Sequence, residues 1–399
     1  MKFKNKGRKI YKTKEKNYYG KSPVGKAFSV GLTVLLIGGI FFIGFSVAGP
    51  LINYAKQKGD TATTTAPTFE EELVTDANGE EITQEDTTAV TPFSLERFKA
   101  YSLSTMDLAD KDTLKKALKR VPADGKIEYI EVPMKEAGGD VYYATNNYYS
   151  TSAGMVQGTM KPKDIANAII DAGYKPVAHI STFYDNVVPM YFQNMSYLTY
   201  ADGMMWIDNS TEAGGKPWLN PFSEDAVNYI TDIVDEVTSA GFVRVVCSDF
   251  VFPDFRQSDI DYLGDKFISN DRYMALTSAA NMMYEKAMSN GSKMLLEVDA
   301  MDILRGKKDV LQPMLLKVNT VILNIDLDAI AYGVFTSDTV YEFNGTPSEN
   351  VRKMLDLVGD DLEDFNVAVR VSGSTAGIQE LLDAKDEIVG CGYDSYVIG

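Results

Sequence analysis

Between residues 218 and 253 the chain reads WLNPFSEDAVNYITDIVDEVTSAGFVRVVCSDFVFP, and the period of its apolar positions changes once. Val227, Ile230, Val234 and Val237 recur at helical spacing with acids on the opposite face, which predicts an amphipathic helix. Gly241 supplies the stop. Residues 243–247 then form a short, mostly apolar run rich in β-branched side chains, as expected of a strand covered on both faces. Asp249 follows where that strand should end, and Pro253 cannot continue a ladder. The stretch is one helix-to-strand unit with an acid at the carboxyl end of the strand.

The same rhythm runs through the rest of the chain from residue 93 onward. Strands are predicted over 97–103 (RFKAYSL), 126–132 (KIEYIEV), 176–182 (PVAHIST), 242–248, 294–298 (MLLEV), 320–325 (TVILNI), 365–371 (FNVAVRV) and 395–398 (SYVI). Helices are predicted near 111–120, 162–172, 272–289, 310–317, 348–358 and 375–384, besides the one already described. Two long polar excursions interrupt the alternation, one after the second strand (GGDVYYATNNYYSTSAGMVQGTM) and one over 183–221. Eight strands separated by mostly helical crossovers predict a parallel (β/α)8 barrel, a TIM barrel, lacking or truncating its last helix. An open doubly wound sheet is the competing fold. No G-x-G-x-x-G follows the first strand, which disfavours its dinucleotide-binding form.

Ahead of the barrel the pattern is different. Residues 1–26 form a basic tail carrying ten Lys/Arg against Glu15. Residues 27–52 read as a transmembrane anchor, whose core, 27–48, contains no charged residue. A helix of that length spans roughly 30 Å, and the basic flank places its N-terminus in the cytoplasm and the following body outside the cell. A cleavable signal peptide is the alternative, because Ser46-Val47-Ala48 resembles a small-residue cleavage site. Residues 53–92 are rich in Thr and acids and predict a flexible linker between membrane and barrel.

Charge sharpens this division. The chain carries −17 overall, but residues 1–58 hold +11, which leaves −28 on residues 59–399. A body that acidic repels nucleic acid, so the basic tail is a topology signal and no nucleic-acid partner is expected. The two cysteines, Cys247 and Cys391, are expected as buried thiols and show no metal spacing. One histidine cannot build an ordinary zinc site, and neither metal nor cofactor is expected.

In a (β/α)8 barrel the active site lies at the carboxyl ends of the strands. Side-chain alternation shows which end residues share a face. Glu297 and Asp299 share one in the fifth strand; so do Asn324, Asp326 and Asp328 in the sixth, Arg370 and Ser372 in the seventh, and His179 and Ser181 in the third. Glu131 stands near the end of the second strand and Asp249 at the end of the fourth. Strand ends that merely pack would carry Val, Ile or Leu there. Carboxyl groups gathered at one rim suit glycosidic bond cleavage, which needs one acid and one nucleophile or base. Glu297 is the candidate acid/base and Asp249 the candidate nucleophile. Asp299, Asp326, Arg370, Glu131 and His179 are candidates for holding substrate or tuning the acids. Tyr and Trp side chains in the excursions, among them Trp206 and Trp218, suit stacking on sugar rings or packing in the core. No G-x-S-x-G or Walker motif is present.

Residues 203–253 resemble a bacterial family of glycoside-hydrolase-like TIM barrels that is distantly similar to α-amylase-type barrels. Gly203, Trp206 and Asp208 match its Gly-x-x-Trp-x-Asp stretch, Trp218-Leu219-Asn220-Pro221 its Trp-Leu-Asn/Asp-Pro, and 241–253 its Gly-Phe to Phe-Pro run at equal length. Tyr184-Asp185 looks like the family's Phe-Lys-Asp and Ile130-Glu131-Val132 like its Ile-Asp-Val. The resemblance implies a glycan substrate and adds Asp185 to the candidate substrate-binding residues. Two positions depart from the pattern: the family's strand-four Asp falls on Ser248 and its Arg on Val251. Asp249 stands one place late, on the wrong side of a regular strand unless the strand end is bulged. The competing expectation is a barrel that binds glycans or a partner protein without cleaving anything.

Overall fold

A computed structural model describes residues 97–264 and 269–399. The expected tail, anchor and linker lie outside the described residues. No helix among the described residues is long and apolar enough to cross a membrane.

Eight strands form a closed parallel barrel: β1 (Lys99–Ser102), β2 (Tyr129–Lys135), β3 (Lys175–Ser181), β4 (Arg244–Ser248), β5 (Lys293–Asp299), β6 (Thr320–Asp326), β7 (Asn366–Ser372) and β8 (Tyr396–Ile398). Each pairs with its neighbours in sequence, and β8 closes the ring on β1. Helices α1 (Lys111–Leu118), α2 (Pro162–Asp171), α3 (Glu224–Ser239), α4 (Ser269–Ser289), α5 (Ala300–Leu304), α6 (Pro347–Val358) and α7 (Ile378–Gly390) lie on the successive crossovers. Their ends follow local chemistry. Ser223 caps α3 by accepting the Ala226 N–H, and Gly241 leaves the helix in the left-handed conformation expected of its stop. Thr346 and Glu349 form a reciprocal capping box on α6.

Three expectations are corrected. Residues 310–317 form turns, because Pro313 withholds an N–H and disfavours helix in the residue before it; the helix of this crossover is α5, directly after the strand. The second strand does not stop at Val132 but runs on to Lys135, with Pro133 taken up at a register shift against β3. A small hairpin, Val334–Phe335 with Val340–Tyr341, was not foreseen. Both cysteines are free thiols; Cys247 is buried in β4, whereas Cys391 at the end of α7 is partly exposed rather than buried.

Inside the ring one apolar layer is built from Ala100, Tyr129, Val177, Val246, Leu295, Ile322, Ala368 and Val397, one residue per strand, with Phe98 beneath. Two residues further along the same strands, on the same face, stand Ser102, Glu131, His179, Ser248, Glu297, Asn324, Arg370 and Gly399. The interior changes from apolar to polar in a single step toward the carboxyl ends. A second apolar core lies between the strands and the helices.

Ile322 has no exposed surface in the apolar layer, so Ile322→Ala should cost about 2–5 kcal/mol in urea unfolding with the polar layer left in place. A loss below about 1 kcal/mol would mean the layer is not packed as described.

Candidate functional site

Arg370 reaches across the barrel from β7 and is bonded to two acids. Its Nε donates to Glu297 Oε2 at 2.8 Å and its Nη2 to Glu131 Oε2 at 2.8 Å. His179 stands between the other oxygens of the same acids, Nδ1 3.7 Å from Glu131 Oε1 and Nε2 3.8 Å from Glu297 Oε1. Ser102 Oγ also donates to Glu131 Oε1 at 3.3 Å. Four strands thus contribute to one ring in which carboxylates alternate with Arg370 and His179. Glu131 is fully buried. Burial pushes its carboxyl up, but Arg370 and then His179 outweigh that and hold it below the ordinary value. Burial would lower the Arg370 pKa, and the two glutamates reverse the effect and raise it.

Above this ring opens a cavity of about 410 Å³, lined by His179, Ser181, Ser248, Asp249, Glu297, Asp299, Asp302, Lys307, Asn324, Arg370 and Lys135, among others. Asp299, at the end of β5, accepts the Met301 N–H of α5 on Oδ1 at 2.8 Å and the Asn324 Nδ2 on Oδ2 at 3.3 Å. Its carboxyl is pushed up to about 7 by burial first and by the neighbouring Asp302 next, with Glu297 adding to the repulsion. Asp302 is also raised, by burial against the opposing pull of Lys307.

Asp249 answers the question raised by its register. β4 ends at Ser248, which takes the inward position, and Asp249 has a left-handed backbone with φ 59°. That turn brings Asp249 to the same cavity as Ser248, whose Oγ donates to Asp249 Oδ2 at 3.0 Å. For a residue other than glycine this conformation costs energy, and such residues gather at functional sites.

Glu297, Asp249, Asp299, Arg370 and His179 are therefore brought together at the cavity, with Glu131 directly behind them. The other candidates are placed elsewhere. Asp326 caps the short helix Leu327–Ile330 by accepting the Asp328 and Ala329 N–H groups, at 2.9 and 3.2 Å. Asp185 is fully buried, 3.1 Å from Lys135 Nζ, and accepts the Tyr229 hydroxyl at 3.3 Å. Trp206 packs against Tyr197 and Phe255. Trp218 stacks on Tyr184, and its Nε1 donates to Asp208 at 3.0 Å. Reading the sequence did not single out Lys135, Asp302 or Lys307. Lys135 shares its parity with Glu131 and could have been found by extending the strand through Pro133; Asp302 and Lys307 sit in a crossover with no periodic signal.

A family model described as a putative glycosyl hydrolase domain matches residues 100–299, half of the chain. Among solved structures, the glycoside hydrolase domain of PgaB (BpsB) from Bordetella bronchiseptica is 12% identical over 76% of this chain and 93% of that one, with a TM-score of 0.52. A hypothetical protein from Ruminiclostridium thermocellum is 16% identical over 49% of this chain and 96% of its own, with a TM-score of 0.38. A variant of the PelA glycoside hydrolase domain from Pseudomonas aeruginosa is 12% identical over 76% and 94%, with a TM-score of 0.40. The first of these likenesses is one of fold. No curated protein matches the chain.

Two stability predictions follow from the charges. Arg370→Met strands Glu131 without its cation and should cost about 3–5 kcal/mol; adding Glu131→Gln should recover part of that loss in a double-mutant cycle. Strict additivity of the two would break the pairing. For Asp299 the folded-state pKa lies above its ordinary 3.8, so the folded protein keeps a proton that the unfolded chain releases between pH about 4 and about 7. The stability this group contributes is complete below that window and is lost as pH rises through about 7. Asp299→Asn keeps an oxygen for the Met301 N–H and removes the loss, so its melting temperature should gain on the wild type's across the window. Parallel melting curves from pH 4 to 7 would contradict a raised carboxyl.

Proposed function

The chain belongs to the putative glycosyl hydrolase domain family, and from that membership and the chemistry of the cavity we propose that its barrel cleaves a glycosidic bond in a polysaccharide of the cell envelope or the surroundings. The observation that carries the reading is a carboxyl raised to about 7, Asp299, lining one cavity with Asp249 and with the Arg370-bound Glu297. Glycoside hydrolysis calls for one carboxyl that still holds a proton near neutral pH and a second that does not have to. Asp299 fits the donor. Glu297 fits it less well than its sequence position suggested, because its Oε2 is taken by Arg370. Asp249 is the partner, attacking the anomeric carbon itself or activating a water. Glu297 and Arg370 then hold the sugar and shape the field, and Glu131 holds Arg370.

The expected basic tail and apolar segment support a body carried outside the membrane by an acidic linker, where a polysaccharide would be met. A second reading has its own support. Ser248 occupies the inward position at the end of β4 where the family pattern places an Asp, so the same cavity could bind a glycan or a partner protein without cleaving it.

A panel of polysaccharides incubated with the purified protein separates the two readings. Cleavage should produce new reducing ends, fall by about 10²–10⁴-fold in Asp299→Asn, and decline as pH rises above about 7, where the donor loses its proton. Binding with no release by the wild type would favour the silent barrel. Release that Asp299→Asn leaves unchanged would remove Asp299 from the mechanism.

A further inference from the structure

Asn324 is placed where one carboxamide meets both the cavity and Asp299. β6 sets it beside Asp299 of β5 and beside Arg370 of β7. Its Nδ2 donates to Asp299 Oδ2 at 3.3 Å, while its Oδ1 is buried with no hydrogen-bond partner among the described residues. A buried carbonyl oxygen without a donor is costly, and such an orphan at a functional site asks for an explanation.

The contacts of Asp299 supply one. Oδ1 of Asp299 accepts the Met301 N–H at 2.8 Å, a contact that leaves no room for a proton between the two atoms. A proton taken up by Asp299 therefore resides on Oδ2, facing Asn324, where it would meet the Nδ2 hydrogens donor against donor. A carboxamide turned over by half a rotation keeps nearly the same shape and exchanges its donor end for its acceptor end. Oδ1 then accepts from Oδ2–H, and the buried place where it had no donor passes to the Nδ2 hydrogens. In the ionised state the observed orientation returns.

We propose that Asn324 is a positioning residue that turns its carboxamide over as Asp299 gains and loses its proton, holding Asp299 Oδ2 in one place in both states. The charged and titratable groups sharing the cavity with Asp299 are Glu297 and Asp302 from its own strand and the helix after it, Lys135 and Glu136 from the end of β2 and just beyond it, His179 from β3, Asp249 from the end of β4, Arg370 from β7 and Lys307 from the loop beyond α5. Each of them favours one protonation state over the other by its charge. Asn324 is neutral and has an end to match either. With Asp299 raised to about 7, both states are populated near neutral pH. The value of this for catalysis rests on Asp299 being the proton donor proposed above; the turning of the carboxamide does not.

The test therefore begins without substrate. In the full-length protein labelled with ¹⁵N at asparagine, the side-chain amide of Asn324 should shift with the same midpoint as the Asp299 carboxyl titration and stay flat in Asp299→Asn. A resonance that stays flat in the wild type would overturn the proposal whether or not the protein cleaves glycans. In Asn324→Leu, both states of Asp299 lose one hydrogen bond, so the Asp299 midpoint should stay close to the wild-type value. A midpoint that climbs by about one unit or more would show that Asn324 bonds the carboxylate alone, and would also overturn it. On a cleaved glycan, Asn324→Leu should lower kcat about tenfold or more with KM nearly unchanged and the high-pH limb unmoved. An unchanged kcat would end the positioning role while leaving hydrolysis intact.

Discussion

Burying charge is expensive, and this barrel buries several charges at its centre. Arg370 can sit there only because Glu131 and Glu297 each accept a charge-assisted hydrogen bond from it, and Glu131 can be sealed from solvent only because Arg370 reaches it. Neither acid is near Arg370 in sequence. The ring must close, bringing β2, β5 and β7 around a common axis, before the three groups can meet. Barrel closure and the central ion cluster are therefore mutually dependent, and the cavity above them inherits its shape and its field from both.

A second buried pair ties the walls to this centre. Lys135 at the end of β2 meets Asp185 in the excursion after β3 and donates to the Ser181 carbonyl, and Tyr229 of α3 donates to Asp185. Through these contacts the β2 and β3 ends and the α3 layer are joined behind the cavity. On the far side, Lys307 bonds Asp254 and Asp302, linking the loops after β4 and β5. A cavity braced in this way holds its carboxyl groups at fixed distances from one another.

Individual residues show why some of the site was legible in the chain and some was not. Glu297 and Arg370 could be assigned to the inner face because alternation in a strand is nearly rigid. Asp326 obeys the same parity, yet its side chain is drawn to the free N–H groups of the helix that follows, a competition decided within a few residues of the strand end. Asp249 failed the parity test and still reached the cavity, because a left-handed turn after β4 re-aims it. Trp206 and Trp218 illustrate a different difficulty. An aromatic side chain suits a core and a sugar platform equally well, and only its neighbours, Phe255 for one and Tyr184 for the other, settle its placement.

The amino-acid sequence by itself determined the eight strands, six of the seven helices α1–α7 between them, and the gathering of ionisable groups at the strands' carboxyl ends, because periodicity and alternation are local properties of the chain. Tertiary structure alone decided which of those groups face one another, which lie sealed beneath the cavity, and which carboxyls are raised. Those outcomes depend on burial and on charges brought close from strands far apart in sequence, and no local pattern records either.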